Sequence, residues 1–297
     1  MTISNKANLG FIGLGAMGTR IAERLRRDGH SMTVYDRNPK RIEPLAGNGA
    51  ATARTPAEVA ARSEIVLSCV ADDAAVEAVL LGRHGALEQV RPGMLVVDLS
   101  TVSPVTSRLV ADAVRAKGAG FVDAAMSGST PQAEEGALVV FAGGETDAFQ
   151  RAQSILHTIA KTVIHMGQVG AGTTMKLVVN TLLGAGLQIL AEALALGEKA
   201  GIDRKRLADA LGETAVISPA QRGKLANAVA NDFPSTFPVR LMHKDFNLIL
   251  AHAGLLAVPM PATAVAAQLC AAQDTYGRDQ DFSAAIRLMR QLAGLPG

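Results

Sequence analysis

Two different hydrophobic patterns divide the chain. In the first half, short apolar runs at residues 9–12, 32–35, 65–69, 95–98, 121–124, 138–142 and 162–165 alternate with amphipathic stretches. Such runs predict the strands of a doubly wound sheet with helices between them, and the continuous run 65–69 predicts a parallel strand covered on both faces. Met17, Ile21 and Leu25, at four-residue spacing, predict a helix that stops at Asp28-Gly29. Asp72 is placed to cap a second helix, Ser103-Pro104 to start a third that closes at Lys117-Gly118, and residues 147–157 are helical in pattern. From Gly170 the strand-like runs cease. Residues 170–200 predict one long helix, opened by a glycine-rich turn and closed by Lys199 with Gly201 beyond it. Helical segments at 203–211, 220–230, 239–253, 262–276 and 282–292 follow, punctuated by Pro219, Pro234, Pro238, Pro259, Pro261 and Gly277. The fold class is therefore α/β: an N-terminal doubly wound Rossmann-type domain, residues 1–167, then an all-α domain, residues 168–297, led by a long interdomain helix. A length of 297 residues suits two domains better than one core.

The first strand ends in Gly13-Leu14-Gly15-Ala16-Met17-Gly18, a GxGxxG turn opening directly into a helix. The second strand delivers Asp36 eighteen residues after Gly18. Strand, glycine turn, helix, strand and terminal acid together make a dinucleotide-binding unit. The first glycine allows the tight turn, the second lets a pyrophosphate approach the backbone, and the third packs helix on strand. The helix N-terminus faces the phosphate charge. In a doubly wound sheet the ligand lies at the carboxyl ends of the strands. Those ends carry Gly13, Asp36, Val70-Ala71, Thr101 and Ser127-Gly128-Ser129.

The long helix carries one charge between His165 and Glu192, namely Lys176, with Asn180 four positions on and so on the same face. An ammonium among Met175, Leu177, Val178 and Val179 loses hydration and needs a compensating partner or role. Snorkelling to water from the first turns is the plainer alternative.

Composition narrows the classes. With 48% hydrophobic and 19% charged residues the chain is globular, and 3% aromatics with a net charge of +2 argue against nucleic acid as a partner. Cys69 and Cys270 lie far apart without metal-ligand spacing, so no metal site is expected. Residues 1–10 show no apolar leader, and residues 177–197, interrupted by Asn180, Gln188 and Glu192, are a buried core helix rather than a membrane span. A reduced, cytoplasmic setting is expected.

Taken together, GFIGLGAMG from Gly10, DLSTVSP from Asp98, SGSTPQAEEGAL from Ser127, GAGTTMKLVVN from Gly170 and, more loosely, HKDFNLIL from His243 resemble the β-hydroxyacid dehydrogenase family, of the 3-hydroxyisobutyrate dehydrogenase and tartronate semialdehyde reductase type. The blocks span nearly the whole chain in compatible order. The resemblance implies an NAD(P)-dependent oxidoreductase that interconverts a short 3-hydroxy acid and its semialdehyde. It implies Lys176 as general acid and base with Asn180 beside it. It also implies Ser127 and Gly128, with Ser129 adjoining, as the holder of the substrate carboxylate, and Thr101 and Lys244 at the nicotinamide end. Hydride reduction of an aldehyde makes an alkoxide, which needs an adjacent proton donor; a lysine with apolar neighbours can serve near neutral pH. An imine reductase of related fold is a second reading, but that group tends to replace the lysine. A dinucleotide-binding module without turnover is a third.

The family loop usually reads Pro-Val-Ser-Gly-Gly, whereas this chain has Ala125-Met126-Ser127-Gly128-Ser129, which predicts a less rigid loop and leaves the identity of the acid open. Asp36 favours NAD by accepting from the ribose diol and repelling a 2′-phosphate, while Arg37, Lys40 and Arg41 leave NADP tolerated. The apolar circumference of residues 181–196 predicts a homodimer or homotetramer.

Overall fold

The structure is a computed structural model that describes residues 6–296, so half of the ten-residue N-terminal reading lies outside the described residues. Two compact units are present, Met1–Lys176 and Leu177–Gly297, and the division falls inside the long helix.

The first unit is built on strands β1 (Leu9–Ile12), β2 (Met32–Tyr35), β3 (Ala51–Thr52), β4 (Ile65–Ser68), β5 (Leu95–Asp98), β6 (Gly120–Ser127), β7 (Leu138–Gly144) and β8 (Ala160–Gly167). They form one sheet in the order β3-β2-β1-β4-β5-β6-β7-β8. Only β6 and β7 pair antiparallel; the other neighbours run parallel. Strand order reverses between β1 and β4, the place where such sheets open a ligand crevice. Side chains alternate across the sheet with period two. Leu9, Phe11, Leu67, Leu95, Val97 and Val122 enter one core, whereas Ile12, Val66, Val96 and Phe121 enter the other.

Helices α1 (Ala16–Arg27), α2 (Glu43–Gly47), α3 (Pro56–Ala61), α4 (Asp73–Leu80), α5 (Pro104–Ala116), α6 (Thr130–Glu135) and α7 (Thr146–Ile159) belong to this unit. Ile21 and Leu25 of α1 and Ile155, Leu156 and Ile159 of α7 fill the first core; Val59 of α3, Val76 and Leu80 of α4 and Val110 and Val114 of α5 fill the second. The expected caps form: Asp72 accepts from Ala75 N at 2.8 Å, and Ser103 accepts from Val105 N at 3.1 Å just ahead of Pro104. Helices α2, α3 and α6 and strand β3 were not legible in the apolar pattern. They span two to six residues, too few for a periodicity to repeat.

Helix α8 (Ala171–Lys199) crosses the division and opens the helical half, followed by α9 (Arg204–Gly212), α10 (Pro219–Ala230), α11 (Val239–Leu255), α12 (Pro261–Gly277) and α13 (Ala285–Leu292). Among the described residues α8 is the one helix long and apolar enough to cross a membrane. Its Leu187, Leu190, Ala191 and Leu194 are instead buried with Met242, Phe246 and Ile249 of α11 and Ala266 and Cys270 of α12. Each such leucine contributes about 1.5–3 kcal/mol by leaving water.

Asp281 organises the irregular segment between α10 and α11. Its fully buried carboxylate accepts from Thr236 N and Oγ1, Phe237 N and Lys224 Nζ on Oδ2, and from Ser283 N and Oγ on Oδ1. Burial works to raise its pKa, but the donors of Lys224, Ser283 and Thr236 outweigh it and hold the acid below its usual 3.8. A carboxylate depressed in the folded state stabilises above its unfolded pKa, and that contribution is lost as pH falls through the folded value. Asp281→Ala should therefore destabilise the protein by about 3 kcal/mol or more in urea unfolding at neutral pH, because it strands a buried ammonium. The gap between variant and wild type should shrink as pH drops below 3.8. An unchanged gap would show that the carboxylate charge is not what holds the segment.

Candidate functional site

At the reversal of strand order, the turn after β1 passes so close to β4 that only glycine fits. Gly13 has φ +97°, and a Cβ there would lie 2.3 Å from the Cys69 carbonyl oxygen. Gly18 packs against the same turn, where a Cβ would meet the Gly13 carbonyl oxygen at 2.0 Å. Gly15 differs, since a Cβ there would meet no atom within 4 Å. Leu14 is buried, while Ala16 and Met17, the first residues of α1, are exposed and half-buried. Among the described residues no side chain caps the start of α1, and its first turn holds no acid. Open space at Gly15 and uncapped N–H groups behind it are what a pyrophosphate requires, so these residues fit the dinucleotide.

Asp36, just beyond β2, is buried. Its Oδ2 accepts from Leu14 N at 2.7 Å and its Oδ1 from Asn38 N at 2.8 Å, which ties the glycine turn to the loop after β2. Arg41 Nη1 lies 3.7 Å from Oδ2, and Arg37 and Lys40 are exposed beside it. Val70 follows β4 and donates from its N–H to Ser100 Oγ at 3.0 Å; Ala71 next to it is exposed. Ser100 in turn donates from Oγ to Asp98 Oδ1 at 2.7 Å, as does Ser68 Oγ. Burial pushes Asp98 up against these hydrogen bonds, and it also drives the Cys69 thiol up to about 12, with Asp98 adding to the rise. Thr101, half-buried, extends directly from this anchored strand end.

Strand β6 carries the third loop. Its ladder to β7 continues through Ala125↔Phe141, Met126↔Val140 and Ser127↔Val139, so strand pairing fixes the segment that lacks the family's proline. Gly128 follows with φ +136°, and a Cβ there would meet Leu138 Cδ2 at 2.6 Å. Ser129 precedes α6 and donates from its N–H to Gln132 Oε1 at 2.9 Å; its hydroxyl is bonded to that same oxygen. The Ser129 side chain is therefore engaged with α6.

Lys176 stands half-buried in the second turn of α8. The start of this helix is captured by Asp123 of β6, whose Oδ1 accepts from Gly170 N and whose Oδ2 accepts from Thr173 N, both at 2.8 Å. Burial raises Asp123 to about 6, against the pull of these hydrogen bonds.

In the helical unit, Asn180 is fully buried and donates from Nδ2 to Asp245 Oδ2 at 2.5 Å. A carboxylate only accepts, so it turns the amide NH₂ toward itself and leaves Asn180 Oδ1 buried with no partner. Lys244 Nζ lies 2.9 Å from the other oxygen of Asp245. Asp245 is 2% exposed and is shared between Lys244 and Asn180. Among the described residues no cluster of His, Cys, Asp or Glu is placed to hold a metal.

Asp98, Asp123 and Asp245 carry more of this geometry than sequence reasoning assigned to them. The signal available was an acid inside an apolar strand, as in FVDAAM, or next to a helix lysine. What each acid holds depends on residues 30 to 65 positions away, or on a neighbour's backbone.

Residues 8–167 match the model for the NAD binding domain of 6-phosphogluconate dehydrogenase, and residues 170–289 match that for the NAD-binding region of NADP-dependent 3-hydroxyisobutyrate dehydrogenase. The chain is 34% identical over 289 residues to 2-(hydroxymethyl)glutarate dehydrogenase of Eubacterium barkeri, covering 97% of this chain and 96% of that one. It is 33% identical over 283 residues to glyoxylate/succinic semialdehyde reductase 1 of Arabidopsis thaliana, covering 95% and 98%. The structure of Mycobacterium tuberculosis 3-hydroxyisobutyrate dehydrogenase with L-serine superposes with a TM-score of 0.88 at 28% identity, covering 96% of this chain and 99% of that one. Full-length likeness of this kind, joined to a glycine turn that fits a dinucleotide, makes the chain a member of the β-hydroxyacid dehydrogenase family, NAD(P)-dependent enzymes that interconvert a hydroxy acid and its semialdehyde.

Proposed function

We propose that Lys176 is the general acid and base of this reaction, and that Ser127 and the backbone at Gly128 hold the carboxylate of a short 3-hydroxy acid or its semialdehyde. The observation that carries this reading is the buried Asn180 amide, one helical turn after Lys176, whose carbonyl oxygen is left for a donor by the grip of Asp245. The nicotinamide, when bound, gives or takes the hydride. The glycine turn from Gly13 to Gly18 and the start of α1 would hold its pyrophosphate, Asp36 and Arg37 would serve its ribose, and Val70 and Ala71 would line the crevice beyond β4; the family resemblance assigns Thr101 and Lys244 to its nicotinamide end. Reduction leaves negative charge on the former carbonyl oxygen, and the Lys176 ammonium neutralises it by giving up a proton from Nζ. Oxidation runs the same proton back. Asn180 Oδ1 orients a donor of the reacting pair, the substrate hydroxyl or the lysine ammonium. Gly128 has φ +136° and Leu138 Cδ2 takes the place of its missing Cβ, so it is the backbone of this residue that serves the carboxylate. Ser129 adjoins this carboxylate holder and is engaged with Gln132 at the start of α6. A soluble, reduced compartment such as the cytoplasm suits the two free cysteines.

Lys176→Ala should lower turnover of a semialdehyde by about 10²-fold or more with cofactor affinity near normal. In the same assay the wild type should strongly prefer a semialdehyde to its uncharged analogue. Retained turnover sinks the lysine assignment, and equal use of both aldehydes sinks the carboxylate loop.

Cofactor choice follows from the Asp36 geometry. Its oxygens are fixed by Leu14 N and Asn38 N yet keep lone pairs for ribose hydroxyls, while Arg41, Arg37 and Lys40 partly offset the charge. The enzyme should favour NAD in kcat/KM, with NADP used more slowly, and Arg37→Ala should widen the gap. A tenfold preference for NADP, about 1.4 kcal/mol, would reverse the assignment. Asp36→Asn should shift preference toward NADP but weaken both cofactors, because one amide oxygen cannot accept from both N–H groups at the positions of the two carboxylate oxygens.

Helix α8 also points to self-association. Val178, Leu182, Ile189 and Leu196 form a stripe at heptad-like spacing and are 50%, 74%, 62% and 73% exposed. A second copy of the chain is the partner assigned to this stripe. Light scattering should give a dimer or tetramer at micromolar concentration, and Leu182→Glu with Ile189→Glu should yield monomers. A monomeric wild type would refute the assignment.

A further inference from the structure

Asp123 is a buried acid that the proposed proton transfer does not use. It lies in β6, directly across the ladder from Asp98 on one side and Gly143 on the other. Its two oxygens divide the work of capping α8. Oδ1 takes Gly170 N at 2.8 Å; Oδ2 takes Thr173 N at 2.8 Å and Thr173 Oγ1 at 3.2 Å. The first N–H groups of any helix lack intrahelical partners, and a local Ser, Thr or Asn would satisfy one of them without burying a charge. Here the acceptor instead comes from a strand 47 to 50 residues earlier in the chain. A local cap fixes the end of a helix; a cap from a strand also fixes the helix to the sheet.

The backbone around the contact leaves no slack. Gly172 approaches so closely that a Cβ would lie 2.5 Å from both the Asp123 and Phe141 carbonyl oxygens. A Cβ on Gly143 would lie 2.5 Å from Asp123 Oδ1 and 2.9 Å from Gly172 N. Gly170 turns into the helix with φ +91°, where other residues are strained. Two donors held by two oxygens set both the translation of α8 along its axis and its rotation about it. Each residue of helix advances 1.5 Å and turns 100°, so a small slip at Thr173 re-aims the side chain three residues on.

We propose that Asp123 is a positioning residue for the reaction, seating the first turn of α8 in the sheet and so setting where Lys176 stands. The inference rests on the reading of Lys176 as proton donor, and its test separates the two. Four proteins are compared: wild type, Asp123→Asn, Lys176→Ala and the double variant, by kcat and KM for a semialdehyde, by fluorescence titration of reduced cofactor, and by thermal unfolding. Asp123→Asn keeps the volume but sets an amide NH₂ against one of the helix N–H groups. It should lower kcat by about 10- to 100-fold, the scale of a misplacement near 1 Å, with reduced-cofactor affinity within about threefold of wild type. In the Lys176→Ala background the same change should lower kcat by less than about twofold, because an effect acting through the lysine vanishes with it. An equal loss of kcat in both backgrounds would make Asp123 a structural residue only and overturn the inference, as would an unchanged kcat. Lys176→Ala that retains its turnover would instead remove the reading beneath it. Should Asp123→Asn fail to fold, Gly172→Ala, which pushes the helix start away with the carboxylate intact, enters the same cycle with the same two outcomes.

Discussion

Three aspartates, one just beyond the end of β2, one ending β5 and one within β6, carry the constraint on which the nucleotide-binding unit depends. Each is buried, and each holds polar groups of the loop beside it: Asp36 takes Leu14 N and Asn38 N, Asp98 takes Ser100 N and Oγ with Ser68 Oγ, and Asp123 takes Gly170 N and Thr173 N. A buried carboxylate left unpaired is costly, so these loops are not free to rearrange without exposing an acid to an apolar interior. Irregular backbone beside a crevice has few ladder partners, and these acids supply the acceptors the sheet cannot.

Among these junctions the glycines have distinct purposes. Gly13 and Gly18 are demanded by backbone against backbone, at separations no methyl could share, whereas Gly15 borders open space. The difference distinguishes glycine that lets the protein pack from glycine that lets a ligand approach. Gly143 and Gly172 are of the packing kind, and they sit against the acid that receives the helix bearing Lys176.

The helical unit repeats the device for other ends. Asp281 gathers the segment between α10 and α11, and Asp245 turns the Asn180 amide while lying 2.9 Å from Lys244 Nζ. In both cases an acid buried among apolar helices orders side chains that would otherwise be free to rotate. The surrounding apolar positions, Leu187, Met242 and Phe246 among them, supply the stabilisation that makes burying such charges sustainable.

Much of this was legible from residues alone. The switch from strand-like runs to helical period at Gly170, the GxGxxG turn, the caps at Asp72 and Ser103 and the chemistry implied by five ordered blocks depend on neighbours in sequence, which is where periodicity and capping act. Other features depended on contacts distant in the chain. The antiparallel β6–β7 ladder fixes the segment that lacks the family's proline, Gln132 engages Ser129, and Asp245 decides which end of the Asn180 amide remains available. The sequence by itself determined the order and type of the long elements and the class of reaction. Only the tertiary structure decided what each buried acid holds, because a carboxylate in water has no preferred partner and acquires one when the fold withdraws every other.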